Sequence, residues 1–415
     1  MSTTTKKFNL NYIDQISYLE GFHRSGWPYV LRNLMKLQND NGVYCDTYVD
    51  RTFLWAQHSE NIIPYTKPWV GFIHHTFNTK FSDYNNENLL KEDRFLQSLR
   101  QCKGIYVFSK VQKDKWIRRL NKMGYNIPVQ SFIHPTEFVE DGKKFTINRF
   151  KSNPDKMLIQ VGAWLRDNYS IYRLNGGKAT FRMENGQIVH KAALIGPKMQ
   201  QYYKPIDFFR LFRKHSWKSP ELTPLTDYAA TFKVEQDGTD NDLSVNAVLP
   251  QKVFESYGDG VVGDEDGMCR DGICRDIFCR DSDYALNKYV IGAVDFLKLL
   301  DSSVISVPTL SDEEYDTLLS ENVVFLKLVD AAAVNTLQEC IVRSTPIVIN
   351  PLPAVVEVLG SEYPLYYNDL SEVPGLVTLE NITAAYNYLE QMDKSALSMK
   401  TFMSDLINGG VYSNL

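Results

Sequence analysis

Short, mostly apolar runs that stop abruptly at a turn recur along this chain, and they limit its fold more than any other feature. Trp69–His74 (WVGFIH) lies between Pro68 and a polar loop, Gly104–Phe108 (GIYVF) ends at Ser109, and MLIQVG begins at Met157. Ala192–Ile195 stops at Gly196-Pro197, and Ser303–Val307, Val323–Leu328 and Pro346–Asn350 (PIVIN) complete the set. A strand with one wet face alternates apolar and polar residues. Continuous runs of this length are buried on both faces, as in parallel sheets covered by helices. Shorter strands are expected at Val43–Val49 and Val129–Ile133. Helical spacing of apolar residues marks Ser25–Leu37, Val111–Met123, Asn335–Arg343 and Ile382–Met392. Strands alternating with helices imply parallel α/β sheets.

A chain of 415 residues exceeds one ordinary hydrophobic core. The polar, aperiodic stretch from about 137 to 155 reads as a linker. It divides an N-terminal domain over 1–150 from a C-terminal domain over 151–385, with a helical tail over 386–415 expected to pack back toward the N-terminal domain. An Asp- and Gly-rich stretch at about 234–283 reads as an insertion. The net charge of -5 argues against a nucleic-acid coat protein. No apolar run approaches the roughly 20 residues that cross a bilayer. The two lysines near the N-terminus are followed by no apolar segment, so no signal peptide is expected and the location reads as cytoplasmic. In that reducing setting the six cysteines predict no disulfide framework.

From Asn335 the chain reads NTLQECIVRSTPIVINPLPAVVEVLG. This resembles the donor-site segment of GT-B glycosyltransferases, in particular the retaining family related to glycogen and sucrose synthases. A helix carrying Glu339 is followed by Cys340–Ser344, Pro346, the strand Ile347–Asn350 and a loop with Glu357. WVGFIH resembles the family strand whose terminal histidine, here His74, faces the transferred sugar. IYVFSKVQKDKWIRRL resembles its strand-Ser-helix unit, and MLIQVGAWLRD the opening of its C-terminal domain. The resemblance implies an α/β protein of two facing Rossmann-like domains (GT-B) with an interdomain cleft. It implies an enzyme moving a hexosyl or pentosyl group from a nucleotide-sugar co-substrate to a hydroxyl of a glycan or a modified DNA base. A catalytically inactive nucleotide-sugar-binding protein and a sugar-nucleotide epimerase are the alternatives on the same scaffold.

Ligands of open α/β sheets bind beyond the carboxyl ends of the strands. His74, Gly162, Gly196, Thr309 and Asn350 all stand at such ends. The helix opening at Asn335-Thr336 offers N–H groups and a dipole to a diphosphate. Arg166 and Lys198 follow strand ends and suit phosphate oxygens, so no metal is strictly required. Glu339 is expected on the donor ribose. Where the family has a second glutamate, eight positions earlier, this chain has Ala331 with Asp330 beside it; Asp330 is the candidate carboxylate near the sugar. His74 and His75 would point to opposite faces of a strand, and His74 is the one matched to the family's histidine. His134 and the loop of His23, Arg24 and Gly26 are weaker candidates.

Three further features stand apart from this site. The helix over 110–122 carries Lys110, Lys113, Lys115, Arg118, Arg119 and Lys122. That is either a solvated face or a contact for nucleic acid or an anionic membrane surface. Cys269, Cys274 and Cys279 recur at five-residue spacing, which supplies only three thiols and differs from structural zinc motifs. Asp281 and Asp283 have the spacing of a metal motif but lie in the insertion.

Overall fold

The computed structural model describes residues 7–11, 26–56, 63–162, 164–167, 170–194, 233–235, 246–248, 304–308 and 310–415. Five strands, β1 (Phe8–Asn11), β2 (Val43–Asp46), β3 (Trp69–Phe72), β4 (Cys102–Val107) and β5 (Val129–Ser131), form a parallel sheet in sequential order. The second sheet contains β6 (Met157–Val161), β7 (Thr180–Arg182) and β8 (Ile188–Leu194). β9 (Lys233–Glu235) and β10 (Asn246–Val248) form a separate antiparallel pair. The second sheet is completed by β11 (Ile305–Ser306), β12 (Val323–Leu326) and β13 (Ile347–Ile349), in the order β11-β8-β6-β12-β13 with β7 antiparallel to β8. Starting from β6, the chain builds outward to one side through β8 and β11, then returns to β6 and builds outward through β12 and β13. That is the strand order of a Rossmann sheet, and its reversal lies between β6 and β12, which pair directly.

The main helices, in chain order, are α1 (Trp27–Leu34), α2 (Asp93–Leu99), α3 (Lys110–Lys122), α4 (Ile147–Ser152), α5 (Asp312–Glu321), α6 (Asn335–Arg343), α7 (Pro353–Leu359), α8 (Leu379–Gln391) and α9 (Met399–Asn408). Their starts are encoded locally. The hydroxyl of Ser109 accepts the N–H of Gln112 at the head of α3, and Ser311 with Glu314 forms a reciprocal capping box on α5. Thr378 and Ser398 cap α8 and α9 in the same manner.

The first sheet is covered on both faces. Phe95, Leu99, Trp116 and Leu120 of α2 and α3 lie on one face with Val49, Phe53 and Trp69. On the other, Trp27, Val30, Leu31 and Leu34 of α1 share a core with Phe402, Leu406, Val411 and Tyr412 from the end of the chain. The close approach needs Gly104 of β4, where a Cβ would stand 2.3 Å from Val411. Lys7 reaches the carbonyls of Tyr412 and Ser413 at 3.0 and 2.9 Å. The chain therefore crosses between the two units twice. The crossings touch, with the N–H of Thr136 donating to the carbonyl of Leu397 at 3.0 Å.

Some local expectations change. Polar composition suggests a linker over 137–155, yet Phe145 and Phe150 are buried in the second core and α4 lies within the stretch. Two phenylalanines suffice to dock a segment whose other residues are polar. The run WVGFIH is a strand only as far as Phe72, so strand alternation does not govern His74 and His75. Apart from β9 and β10, the stretch at 234–283 lies outside the described residues.

Phe402 fills the core of the N-terminal unit from the far end of the sequence, so Phe402→Ala is expected to cost about 3–5 kcal/mol. Urea unfolding followed by probes in each unit would show this as an earlier transition of the N-terminal unit. A loss below about 1 kcal/mol would mean that the C-terminal segment is not part of that core.

Candidate functional site

The strand reversal brings two loops together beyond β6 and β12. The N–H of Asp167 donates to the carbonyl of Lys327 at 2.8 Å, and that of Val329 to the carbonyl of Leu165 at 2.9 Å. Asn350, just past β13, holds the middle of this arrangement. Its side chain accepts the N–H of Leu328 at 2.7 Å and donates to the carbonyl of Leu328 at 2.9 Å. Gly162 ends β6 with φ +75°, a conformation that favours glycine. Its bare Cα leaves room for the guanidinium of Arg166, whose Cζ would stand 3.2 Å from a Cβ there.

Arg166 donates through Nη1 to the carbonyl of Trp164 at 2.7 Å and through Nη2 to the hydroxyl of Thr336 at 3.1 Å. Its Nε is buried without an acceptor. Burial lowers its pKa to about 10, against the opposing pull of Tyr315 and Glu339, so it remains a cation at neutral pH. Asn335 and Thr336 open α6, which begins at Val334 without a side-chain cap. Glu339 follows one turn later. It is buried, 4% exposed, and its Oε2 accepts the phenol of Tyr315 at 2.7 Å. An exposed helix carboxylate is thereby excluded. Gly162, Arg166, Asn335, Thr336 and Glu339 form one constellation. Asp330 lies in the adjoining loop, its Oδ1 accepting the N–H of Ala331 at 2.8 Å, and Ala331 is buried.

The N-terminal unit contributes an aromatic wall. Asp50, fully buried, accepts the N–H of His74 at 2.6 Å and that of His75 at 3.2 Å, which fixes the turn after β3. The ring of His74 lies among Tyr48, Trp27 and Phe108, with centroids 4.2, 4.4 and 5.0 Å away. Its Nε2 donates to the carbonyl of Thr47 at 3.1 Å. His75 stacks on Trp55 at 5.4 Å and meets Trp164 of the other unit at 5.1 Å, while its Nδ1 donates to the carbonyl of Tyr84 at 2.7 Å. Thus His75, rather than His74, has its ring against the opposing unit. His134 is buried beside Trp27 and Phe108.

The carboxyl edges of the two sheets face each other. Besides His75 and Trp164, Asn78 donates to the carbonyl of Val329 at 3.3 Å. Glu357 of α7 accepts the N–H of Lys110 at 2.8 and 3.1 Å, placing a carboxylate at the positive end of α3. On α3, Arg119 pairs with Glu87. Lys198, Thr309, Gly196, His23, Arg24, Cys269, Cys274, Cys279, Asp281 and Asp283 lie outside the described residues. Among the described residues no group of three or more His, Cys, Asp or Glu side chains is placed to hold a metal ion. No helix among them is long and apolar enough to cross a membrane.

Sequence reasoning missed Tyr315, Trp164 and Asp50. The capping box at Ser311–Glu314 would have revealed α5, and with it Tyr315. No short-range signal marks Asp50, whose partners are backbone groups more than twenty residues away.

No known protein-family signature matches the chain, and no characterised protein matches it by sequence. Similar solved structures include an α,α-trehalose-phosphate synthase (UDP-forming) from Burkholderia vietnamiensis, at 10% identity over 90% of this chain and 73% of that one, TM-score 0.44. A structure of trehalose-6-phosphate from E. coli bound with UDP-2-fluoro glucose is similar at 10% identity over 92% and 78%, TM-score 0.45. The N-terminal domain of a Candida albicans trehalose-6-phosphate phosphatase follows at 10% identity over 91% and 70%, TM-score 0.37.

Burial lowers the pKa of His74 from 6.5 to about 3, and the Thr47 carbonyl only partly opposes this. The unfolded chain therefore binds a proton that the folded chain refuses. The contribution of a neutral His74 to stability is fully present above 6.5 and is lost as pH falls toward 3. His74→Asn is expected to flatten the acid limb of a stability–pH curve measured by urea unfolding. An acid limb as steep as that of the unsubstituted protein would show that His74 takes up its proton freely in the fold.

Proposed function

We infer that this chain is a glycosyltransferase using a nucleotide-sugar donor, with the nucleotide on the C-terminal unit and the acceptor on the N-terminal unit. One observation carries the reading. At the reversal of a Rossmann-type sheet, a cation held over a glycine, an uncapped helix N-terminus and a buried carboxylate one turn along form a single group. The N–H groups of Asn335 and Thr336 and the guanidinium of Arg166 suit a diphosphate. An unpaired buried donor such as Arg166 Nε costs about 1–3 kcal/mol, which a phosphate oxygen would offset. Glu339, on the same face as Asn335, is positioned for the ribose. Lys198 and Thr309 belong to the same proposal through their sequence positions.

In this reading the donor sugar, a hexose or pentose, projects toward the aromatic wall that holds His74 and His75. Asp330 stands nearest in sequence to the family's missing glutamate. Arg166 and the α6 N-terminus stabilise the negative charge of the departing diphosphate, so a metal is not strictly required. The facing edges exclude water and so protect the donor from hydrolysis. The acceptor is a hydroxyl of a glycan or a modified DNA base. A second reading, a nucleotide-sugar-binding protein without turnover, draws on one observation: Ala331 is buried where the family has a carboxylate, and Asp330 engages its own neighbour's N–H. Slow release of free nucleoside diphosphate from a bound donor separates an enzyme from a binder.

Glu339→Ala should weaken nucleoside diphosphate binding roughly 10- to 100-fold, since a charge-assisted bond is worth about 1.5–3 kcal/mol. Calorimetric titration of UDP, GDP, ADP and TDP provides the test; undiminished affinity would move the donor site elsewhere. His74→Ala and His75→Ala should each lower turnover much more than nucleotide affinity. If turnover survives either change, that histidine does not touch the sugar.

A further inference from the structure

One oxygen of the Glu339 carboxylate is already engaged by the protein. Its Oε2 accepts the phenol of Tyr315 at 2.7 Å. Its Oε1 takes no hydrogen bond among the described residues. Tyr315 comes from α5, a separate helix whose start is fixed by the Ser311–Glu314 capping box. One further contact ties α5 to α6, and two more brace it from within α6 and from the 141–143 turn. The buried Asp316, next to Tyr315, accepts Arg343 at 2.7 Å, and Arg343 in turn donates to the carbonyl of Glu339 at 3.3 Å. Lys143 reaches the other oxygen of Asp316 at 3.2 Å. The two helices are thus joined by the buried Arg343–Asp316 pair, one residue along α5 from Tyr315, as well as by the phenol itself. In buried surroundings a hydroxyl donating to a carboxylate oxygen is among the stronger neutral-to-charged bonds.

Resting on the nucleotide-sugar reading above, we propose that Tyr315 is a positioning residue that orients Glu339, so that the donor ribose is read through Oε1 and chiefly through one of its two hydroxyls. A carboxylate without such a neighbour offers both oxygens to both hydroxyls of a ribose. Here the phenol takes one acceptor site of Oε2 and fixes the carboxylate plane, which leaves Oε1 as the oxygen without a protein donor among the described residues. Specificity for ribose over deoxyribose then rests chiefly on a single hydroxyl, and removing the phenol leaves the carboxylate without a fixed plane, so that it binds the ribose more weakly and prefers neither hydroxyl.

The test uses the full chain and three probes, UDP, ADP and GDP, each with its 2′-deoxy and 3′-deoxy forms, titrated calorimetrically. For the probe that binds, the unsubstituted protein should lose about tenfold or more with one deoxy form and less than about threefold with the other. Tyr315→Phe keeps the ring and its packing. It should lower affinity for the ribonucleotide roughly 3- to 10-fold and bring the two deoxy losses close together. Equal losses from both deoxy forms in the unsubstituted protein overturn the proposal, and this arm stands even if the variant fails to fold. An unchanged asymmetry in a folded Tyr315→Phe overturns it as well. In both cases a Glu339→Ala variant that still loses affinity leaves the nucleotide-sugar reading intact. If none of the three probes binds the unsubstituted protein, that reading falls and the role of Tyr315 falls with it.

Discussion

The second sheet reverses its strand order between β6 and β12, and the site depends on that reversal. Chains leaving adjacent strands toward opposite sides open a crevice at the sheet's carboxyl edge. The crevice would be loose if its two loops were independent. They are not: Asp167, Leu165, Lys327 and Val329 exchange backbone hydrogen bonds, and Asn350 binds both polar groups of Leu328. Each such bond contributes only about 0.5–1.5 kcal/mol, but together they hold Arg166 and the start of α6 in one place. The same crevice edge presents Trp164 to the N-terminal unit, so the geometry of one sheet sets where the two units meet.

Buried charges fall into those that hold the fold and those proposed above to face a ligand. Taking a charge out of water costs several kcal/mol unless partners replace the water. The Arg343–Asp316 pair is fully buried, 2.7 Å apart, and Lys143 engages the second oxygen of Asp316. Asp50 likewise has two backbone N–H donors, and burial still raises its pKa above the usual carboxylate range. Arg343 Nε, too, is buried without an acceptor, so Arg166 and Glu339 differ from the Arg343–Asp316 pair in their place at the sheet's carboxyl edge. Each has part of its hydrogen-bonding capacity engaged by Trp164, Thr336 or Tyr315 and part unused. Groups held in place yet incompletely satisfied, side by side at a sheet's carboxyl edge, are those from which a binding site is built.

Much of the architecture was legible in the sequence because the signals are local. Mostly apolar runs identified the buried strands β3, β4, β6, β12 and β13, whereas β11, within the Ser303–Val307 run, is exposed. The reading of Asn335–Arg343 as a helix matches α6, which carries Glu339. What stayed hidden depends on distant partners. Phe145 and Phe150 look isolated in a polar stretch until the second core is assembled around them. β1 is four residues long and is recognisable only by its pairing with β2. The strand end at Phe72, and hence which histidine meets the opposing unit, is set by Asp50 capturing two successive backbone N–H groups. No periodicity records that event. Tyr315 is intermediate: the capping box before it was readable, but its contact with Glu339 required the packing of α5 against α6.

The two units are joined by contacts of different strength, and the difference bears on how a site between them would work. At the crossing, Thr136 and Leu397 bind the outgoing and returning chain, and the returning chain inserts Phe402, Leu406, Val411 and Tyr412 into the first core. Burying side chains of this size is worth about 1.5–3 kcal/mol each, so the crossing is not released short of unfolding. At the facing edges the contacts are Asn78 with Val329, His75 with Trp164, and Glu357 with the start of α3. These are single hydrogen bonds or ring contacts, each worth on the order of 1 kcal/mol and partly replaced by water when broken. On the proposed reading, a donor of nucleotide-sugar size would enter past those edges. The edges are therefore the part of the interface that has to yield, while the crossing serves as the fixed end. Of the edge contacts, Glu357 is the one whose loss leaves a charge without its donors, because burial already raises its pKa and the N–H groups of α3 are what oppose that rise. Separation of the edges thus returns the carboxylate to water at little net cost, and reclosure restores an anion at a helix N-terminus.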